Sequence, residues 1–192
     1  MTPKDDEHRQ TDPTVDAGPT GPAANTGPTA AGGPTAAGGP AVQDGPAPHR
    51  RHDGSFRWEQ VELLAYKAEG SAPFRDVTRQ VLIERPELGC QLRYFEVAPG
   101  GHSTLERHEH VHGVMVLRGR GACLVHDTVI ELATNDLVTV PPLTWHQFRA
   151  GGDEPLGFLC MVNAERDRPI LPTDEELAAL RRDPGVAAFI RT

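Results

Sequence analysis

The sequence predicts an all-β domain, an antiparallel sandwich or barrel, with short helices at its C-terminal end and a disordered tail before it. Three observations carry this. From Phe56 onward the chain breaks into apolar runs of roughly 4–8 residues separated by Gly, Pro, Asn and Asp, which is strand-and-turn punctuation. Helical signals are confined to the region after Thr173. Residues 1–53 are rich in Gly, Pro, Ala and Thr, include PTAAGG twice in tandem, and carry almost no large apolar side chains. Such a stretch cannot offset the entropy of ordering its backbone. The organisation expected is therefore a tail over 1–53, a β domain over 54–170 and a helical segment over 171–192.

The strands follow in order. VTRQVLI (Val77–Ile83) ends before the ERPELG turn, and QLRYFEVA (Gln91–Ala98) stops at Pro99-Gly100-Gly101. VHGVMVL (Val111–Leu117) stops at Gly119, and ACLV and TVIEL flank a tight turn at His126-Asp127. DLVTV ends at Pro141-Pro142, WHQF restarts after it, and LGFLCMV (Leu156–Val162) is last. Thr173-Asp-Glu-Glu176 reads as a capping box opening a helix through Leu177 and Leu180, and Asp183-Pro184 opens a second. Trp58–Tyr66 fits neither period.

Composition excludes several roles. The chain has 192 residues, with 27 acidic and 19 basic side chains for a formal net charge of −8, and no clustered basic face, so nucleic acid is not an expected partner. No run is long and apolar enough for a membrane span, and no secretory signal pattern is present. Three widely spaced cysteines, each in or beside an apolar run, read as buried thiols and point to the cytoplasm. The ERDRP run, Glu165–Pro169, reads as surface ion pairs. Barrel edges and the Trp58–Tyr66 segment are the surfaces on which a homodimer would form.

Chemistry concentrates in ERHEHVH, where Glu106, His108, His110 and His112 occupy every second position. In an extended chain these side chains share one face, and a row of imidazoles with a carboxylate is either solvated or satisfied by a divalent cation. His146 stands apart, after the Pro-Pro turn and Trp145, where a single remote histidine is ordinarily structural.

Taken together, the Gly-rich turn at Pro99–Gly101, this histidine row, Gly119, Pro141 and His146 resemble the cupin family, over roughly Gln91 to Ala164. The resemblance implies an antiparallel jelly-roll barrel with one mononuclear metal site. Counting from the two glycine turns places its first-motif ligands at Glu106, His108 and His112, and its second-motif ligand at His146. Asn135 and Leu143 stand where the family's second motif has glycines. In this register His110 is second shell or exposed. A rival register takes His108, His110 and His146, with or without His112.

Family resemblance further implies one divalent transition metal (Fe, Mn, Ni, Cu or Zn) and a small organic substrate. The activity expected first is a dioxygenase of the quercetinase-like type, in which Glu106 detaches from the metal to act as base on a substrate hydroxyl. The alternatives are a non-redox metal-dependent isomerase or lyase, and a non-catalytic cupin that binds a small ligand or metal. Tyr94, Met115 and Phe148 are candidate pocket residues.

Overall fold

The structure is a computed structural model and describes residues 48–192. Most of the expected tail lies outside those residues. Its last part does not behave as a free tail: Arg50 Nη1 donates to the Leu82 carbonyl at 2.6 Å, and His52 bridges to Trp58.

Among the described residues nine strands make one antiparallel sheet: β1 (Leu64–Ala65), β2 (Arg75–Glu84), β3 (Cys90–His102), β4 (His112–Arg118), β5 (Gly121–Val125), β6 (Thr128–Leu132), β7 (Leu137–Val140), β8 (His146–Ala150) and β9 (Leu156–Asn163). The path runs β6-β5-β8-β3-β9-β4-β7, with β2 paired along β3 and β1 on β2. The sheet curls into a half-barrel, followed by two short helices, α1 (Asp174–Leu180) and α2 (Pro184–Phe189). No helix among the described residues is long and apolar enough to cross a membrane.

Alternation builds the core. Phe95 and Val97 of β3, Val114 and Val116 of β4, Phe148 of β8 and Phe158 and Cys160 of β9 turn into the barrel and pack as one cluster. Burying each large apolar side chain contributes on the order of 1.5–3 kcal/mol. A second cluster joins Leu105 and Leu124 to Val186, Phe189 and Ile190, with Trp145 against it, so α2 packs on the opposite side of the β5–β8 layer. Gln147, fully buried between His146 and Phe148 in sequence, fastens this contact. Its amide donates to the carbonyls of Ser103 and Arg191, both at 2.8 Å, and accepts from the Arg191 N–H at 2.9 Å. The capping box forms as the sequence predicts, and Asp183 caps α2 by accepting from Val186 N–H.

β3 departs from expectation. It continues through Pro99-Gly100-Gly101 to His102, because a bulge absorbs the turn: Val77 pairs with Val97 but Arg75 with His102. Gly119 is required by space as well as by its φ of +72°, since a Cβ there would lie 1.8 Å from the Pro155 carbonyl oxygen. The second motif lacks glycine yet keeps the glycine backbone, with φ of 77° at Asn135 and 54° at Leu143. Asn tolerates this region; Leu does so at a cost of about 1–2 kcal/mol. What holds Leu143 there is its N–H, which donates to the His108 carbonyl at 2.7 Å.

Leu143 is half exposed, so its side chain contributes little packing in return. Replacing it by glycine is expected to stabilise the protein by up to about 1 kcal/mol, after allowing for the extra chain entropy of glycine. Urea unfolding checks this as a higher midpoint with unchanged slope.

Candidate metal centre

Two strand segments far apart in sequence bring the donors together. Glu106 and His146 form an isolated antiparallel bridge, with Glu106 N–H on the His146 carbonyl at 3.2 Å and His146 N–H on the Glu106 carbonyl at 3.0 Å. Beyond Arg107, which bridges to Ile170, the chain bends at Glu109 and His110 and re-enters the sheet as β4 at His112. Glu106 to His112 is thus not the continuous extended strand that even spacing predicts. The bend folds the histidines onto one another instead of spreading them along a strand.

Ring centroids of His108 and His110 lie 4.0 Å apart and nearly parallel, those of His108 and His112 4.4 Å, and those of His112 and His146 5.1 Å. Two donor triads result, Glu106–His108–His146 and His108–His110–His112, each with ligand atoms within 4.8 Å of one another. His108 belongs to both. The set read first from the sequence, Glu106, His108, His112 and His146, is therefore assembled around His108 but is not one compact group. His110 lies closer in than a merely exposed residue, and its Nδ1 is 2.8 Å from Asp167 Oδ1.

Burial sets the protonation of this cluster. Desolvation, reinforced by neighbouring histidines, pushes His108 down to about 4 and His112 down to about 2. Desolvation also pushes His146 down to about 4. All three are neutral at pH 7, the form in which imidazole is a ligand. His146 Nδ1 lies 2.9 Å from the Thr144 carbonyl, so Nδ1 carries the proton and Nε2 keeps its lone pair for the cavity. Buried neutral imidazoles and a carboxylate, converging on each other, fit a divalent transition metal.

Glu106 has two further partners. Tyr66 Oη donates to its Oε1 at 3.3 Å, and Lys67 Nζ forms an ion pair with its Oε2. Burial, and then the Glu106 charge, hold the Tyr66 phenol well above its ordinary range, so it remains protonated. Neither residue is marked in the sequence, because Tyr66-Lys67 ends the aperiodic segment and lies some forty residues from Glu106. The only available signal is a Tyr-Lys pair following an apolar run.

The cluster lies in a cavity of about 830 Å³. Phe148 lines it, with Phe95 and Phe158 alongside; Phe148 and Phe158 stack at 4.6 Å and Phe95 and Phe158 at 5.5 Å. Two other pocket candidates are corrected. Met115 has opposite parity to His112 and Val114, so it points out of the barrel and is 37% exposed. Tyr94 is fully buried but on the far face of β3, under Phe56 and Trp58, with its hydroxyl on Glu96 at 2.8 Å. The ERDRP segment is corrected too: Arg166, Asp167, Arg168 and Pro169 line the cavity, and Asp167 holds both His110 and the Glu109 N–H.

Two measurements follow from this geometry. His108→Ala, which breaks both triads, is expected to reduce bound metal to a small fraction of the wild-type level, and His146→Ala nearly as far; His110→Ala, whose ring is engaged by Asp167, keeps most of it. His112→Ala should also lose metal, and elemental analysis in which His110→Ala empties the protein while His112→Ala leaves it loaded would support the rival register. In chelator-treated protein, unfolding releases imidazoles whose ordinary value is 6.5 from sites where they are depressed to about 4 or below. The unfolded chain then binds protons that the folded chain refuses, so stability is flat above that ordinary value and falls as pH drops from it towards about 4. A thermal midpoint that stays level until carboxylates titrate would contradict this.

Comparison with known proteins agrees with the fold. Residues 93–162 match the cupin domain. Over 143 residues the chain is 63% identical to the 1-methylthio-D-xylulose 5-phosphate methylsulfurylase of Rhodospirillum rubrum, covering 74% of this chain and 92% of that protein. Among solved structures, a cupin 2 conserved barrel domain protein from Rhodopseudomonas palustris superposes with a TM-score of 0.72 at 56% identity, over 75% of this chain and 99% of that one. A cupin-2 domain from Rhodospirillum rubrum gives 0.67 at 62% identity, over 74% and 96%. The fold, the motif residues and these relatives together place the chain in the cupin superfamily, among its small conserved-barrel proteins.

Proposed function

We propose that the protein is a metal-dependent enzyme that detaches the methylsulfanyl group from a phosphorylated 1-methylthio ketose. The observation that carries this reading is the 63% identity, over 92% of the relative's length, to a protein named 1-methylthio-D-xylulose 5-phosphate methylsulfurylase. The cavity supports it, with three phenylalanines to receive an apolar methylsulfanyl end and the histidine–carboxylate cluster to receive the carbonyl.

A divalent metal held by Glu106, His108, His146 and His112 would supply a Lewis acid for the ketone. The C1–S bond is adjacent to that ketone. Attack of a thiol on the sulfur breaks this bond, and the electron pair passes to C1, delocalised into the carbonyl as an enolate. The sulfur leaves as a mixed disulfide, so the thiol is oxidised and C1 reduced, and C1 takes up a proton to become a methyl group. Lys67, on Glu106 in the cavity, is the residue to deliver that proton, while Tyr66 fixes the other carboxylate oxygen. The attacking thiol comes from outside the chain. Cys160 lines the cavity, but burial pushes its thiol up to about 12, leaving it un-ionised at neutral pH. Cys123 is pushed equally high.

Dioxygenase chemistry uses a similar donor set, so the two readings separate by their products. The protein supplied with divalent metal, a small thiol and 1-methylthioxylulose 5-phosphate is expected to yield a 1-deoxyketose phosphate and a methyl mixed disulfide, both read by mass spectrometry. Lys67→Ala should lower kcat about a hundredfold or more, the range for a lost acid catalyst. Oxygen uptake with a phenolic or diketone substrate, and no methylsulfanyl transfer, would favour the dioxygenase.

A further inference from the structure

Away from the histidines, the cavity wall is basic. Arg79 on β2 sits opposite Phe95, Arg93 on β3 sits opposite Cys160, and Arg166 and Arg168 flank Asp167 after β9; all four line the cavity. Arg79 and Arg93 are diagonal neighbours on adjacent strands, close enough for their side chains to address one ligand.

None of these cations is matched by an anion: Arg93 is buried, Arg79 half-buried, and Arg166 and Arg168 exposed at the rim of the cavity. Arg93 is 8% exposed, and its guanidinium donates to Gln91 Oε1, a neutral amide, through Nε at 2.8 Å and also through Nη2. Arg79 Nε is buried without a hydrogen-bond partner. Among the described residues no carboxylate forms an ion pair with Arg79, Arg93, Arg166 or Arg168. Asp167 is engaged by His110 and the Glu109 N–H, and Glu84 accepts from the Gln91 amide. Burial, and then the charge of Arg79, disfavour the Arg166 cation, while Glu84 acts more weakly in the opposite sense. Holding the buried Arg93 guanidinium beside the half-buried Arg79, whose Nε has no partner, without a counter-anion is costly. If they served only the fold, facing carboxylates would be expected. A dianion with several acceptor oxygens meets the need, and guanidinium forks match phosphate geometry.

We propose that Arg79, Arg93 and Arg166 form a phosphate-monoester site on the β2–β3 wall of the cavity, taking the phosphate of a short phosphorylated sugar. Only the identity of the sugar rests on the proposed function; the phosphate rests on the arginines. Position supports it. β9 separates β3 from β4, so Arg93 and His112 stand on strands about 10 Å apart, a span suited to a five-carbon chain with its carbonyl end at the histidines. Cys160 is the cross-strand partner of Arg93 and lies 3.5 Å from His112 Nδ1, which makes the wall continuous.

The test is calorimetric titration of the full chain with ribose 5-phosphate, ribose and inorganic phosphate. Ribose 5-phosphate is expected to bind, and ribose at least about tenfold more weakly, as fits the loss of charged hydrogen bonds. Arg166→Ala and Arg79→Lys should each weaken the phosphorylated ligand about tenfold while metal content and thermal midpoint stay near wild type. Arg79→Lys keeps the charge and loses the fork, so it guards against a folding defect in the alanine variant. Equal binding of ribose, binding of inorganic phosphate alone, or unchanged affinity in both well-folded variants would overturn the site. Arginine-dependent binding of ribose 5-phosphate in a protein that does not transfer methylsulfanyl would uphold the site and reject the proposed reaction. Transfer with arginine-independent binding would do the reverse.

Discussion

The centre of this molecule hangs on one backbone contact, the antiparallel bridge between Glu106 and His146. Two N–H···O bonds fix a carboxylate and an imidazole side by side on one face of the sheet. Because alternate side chains turn opposite ways, the same bridge turns Arg107 and Trp145 outward, where the guanidinium covers the indole ring at 4.4 Å and also pairs with Glu176 of α1. His108 then enters through its own carbonyl, which holds Leu143 in a left-handed conformation. Donor position, turn geometry and helix docking thus follow from a register set by two residues.

Burying these donors has an electrostatic consequence. Imidazoles taken out of water give up their protons, and the depression of His108, His112 and His146 comes first from burial. Neutral rings can lie close together as charged rings could not, so stacking of His108 on His112 depends on the low polarity around them. Glu106 keeps its negative charge company with Lys67. A metal ion arriving between them would face a ready lone-pair donor on His146 and a carboxylate already matched to a cation.

Much of this is legible in the sequence. Turn residues mark eight of the strands, and the row of four donors with His146 names the cluster. Asn135 and Leu143, where the family has glycines, do keep the glycine backbone. What is not legible arises where non-local packing decides. Nothing in Pro99-Gly100-Gly101 shows that β3 would absorb a turn as a bulge and run on to His102. Tyr66 and Lys67 meet Glu106 only because β1 lies along β2 at the cavity edge. Tyr94 and Met115 are errors of parity, since which face of a strand turns inward depends on its register with neighbours. The arginines of the wall come from β2, β3 and the segment after β9, and the last of these has the composition of a solvated loop.

Gln147 bears on how the molecule is made. It lies between candidate ligand His146 and wall residue Phe148, and it is satisfied only when the backbone of Arg191 lies beside it. β3, β5 and β8 can pair without the segment around Arg191, but until it docks a fully buried amide faces an unfinished pocket and β8 is covered on one face only. Ordering of the strand that carries His146 thus depends on docking of the segment around Arg191 as well as on closure of the barrel.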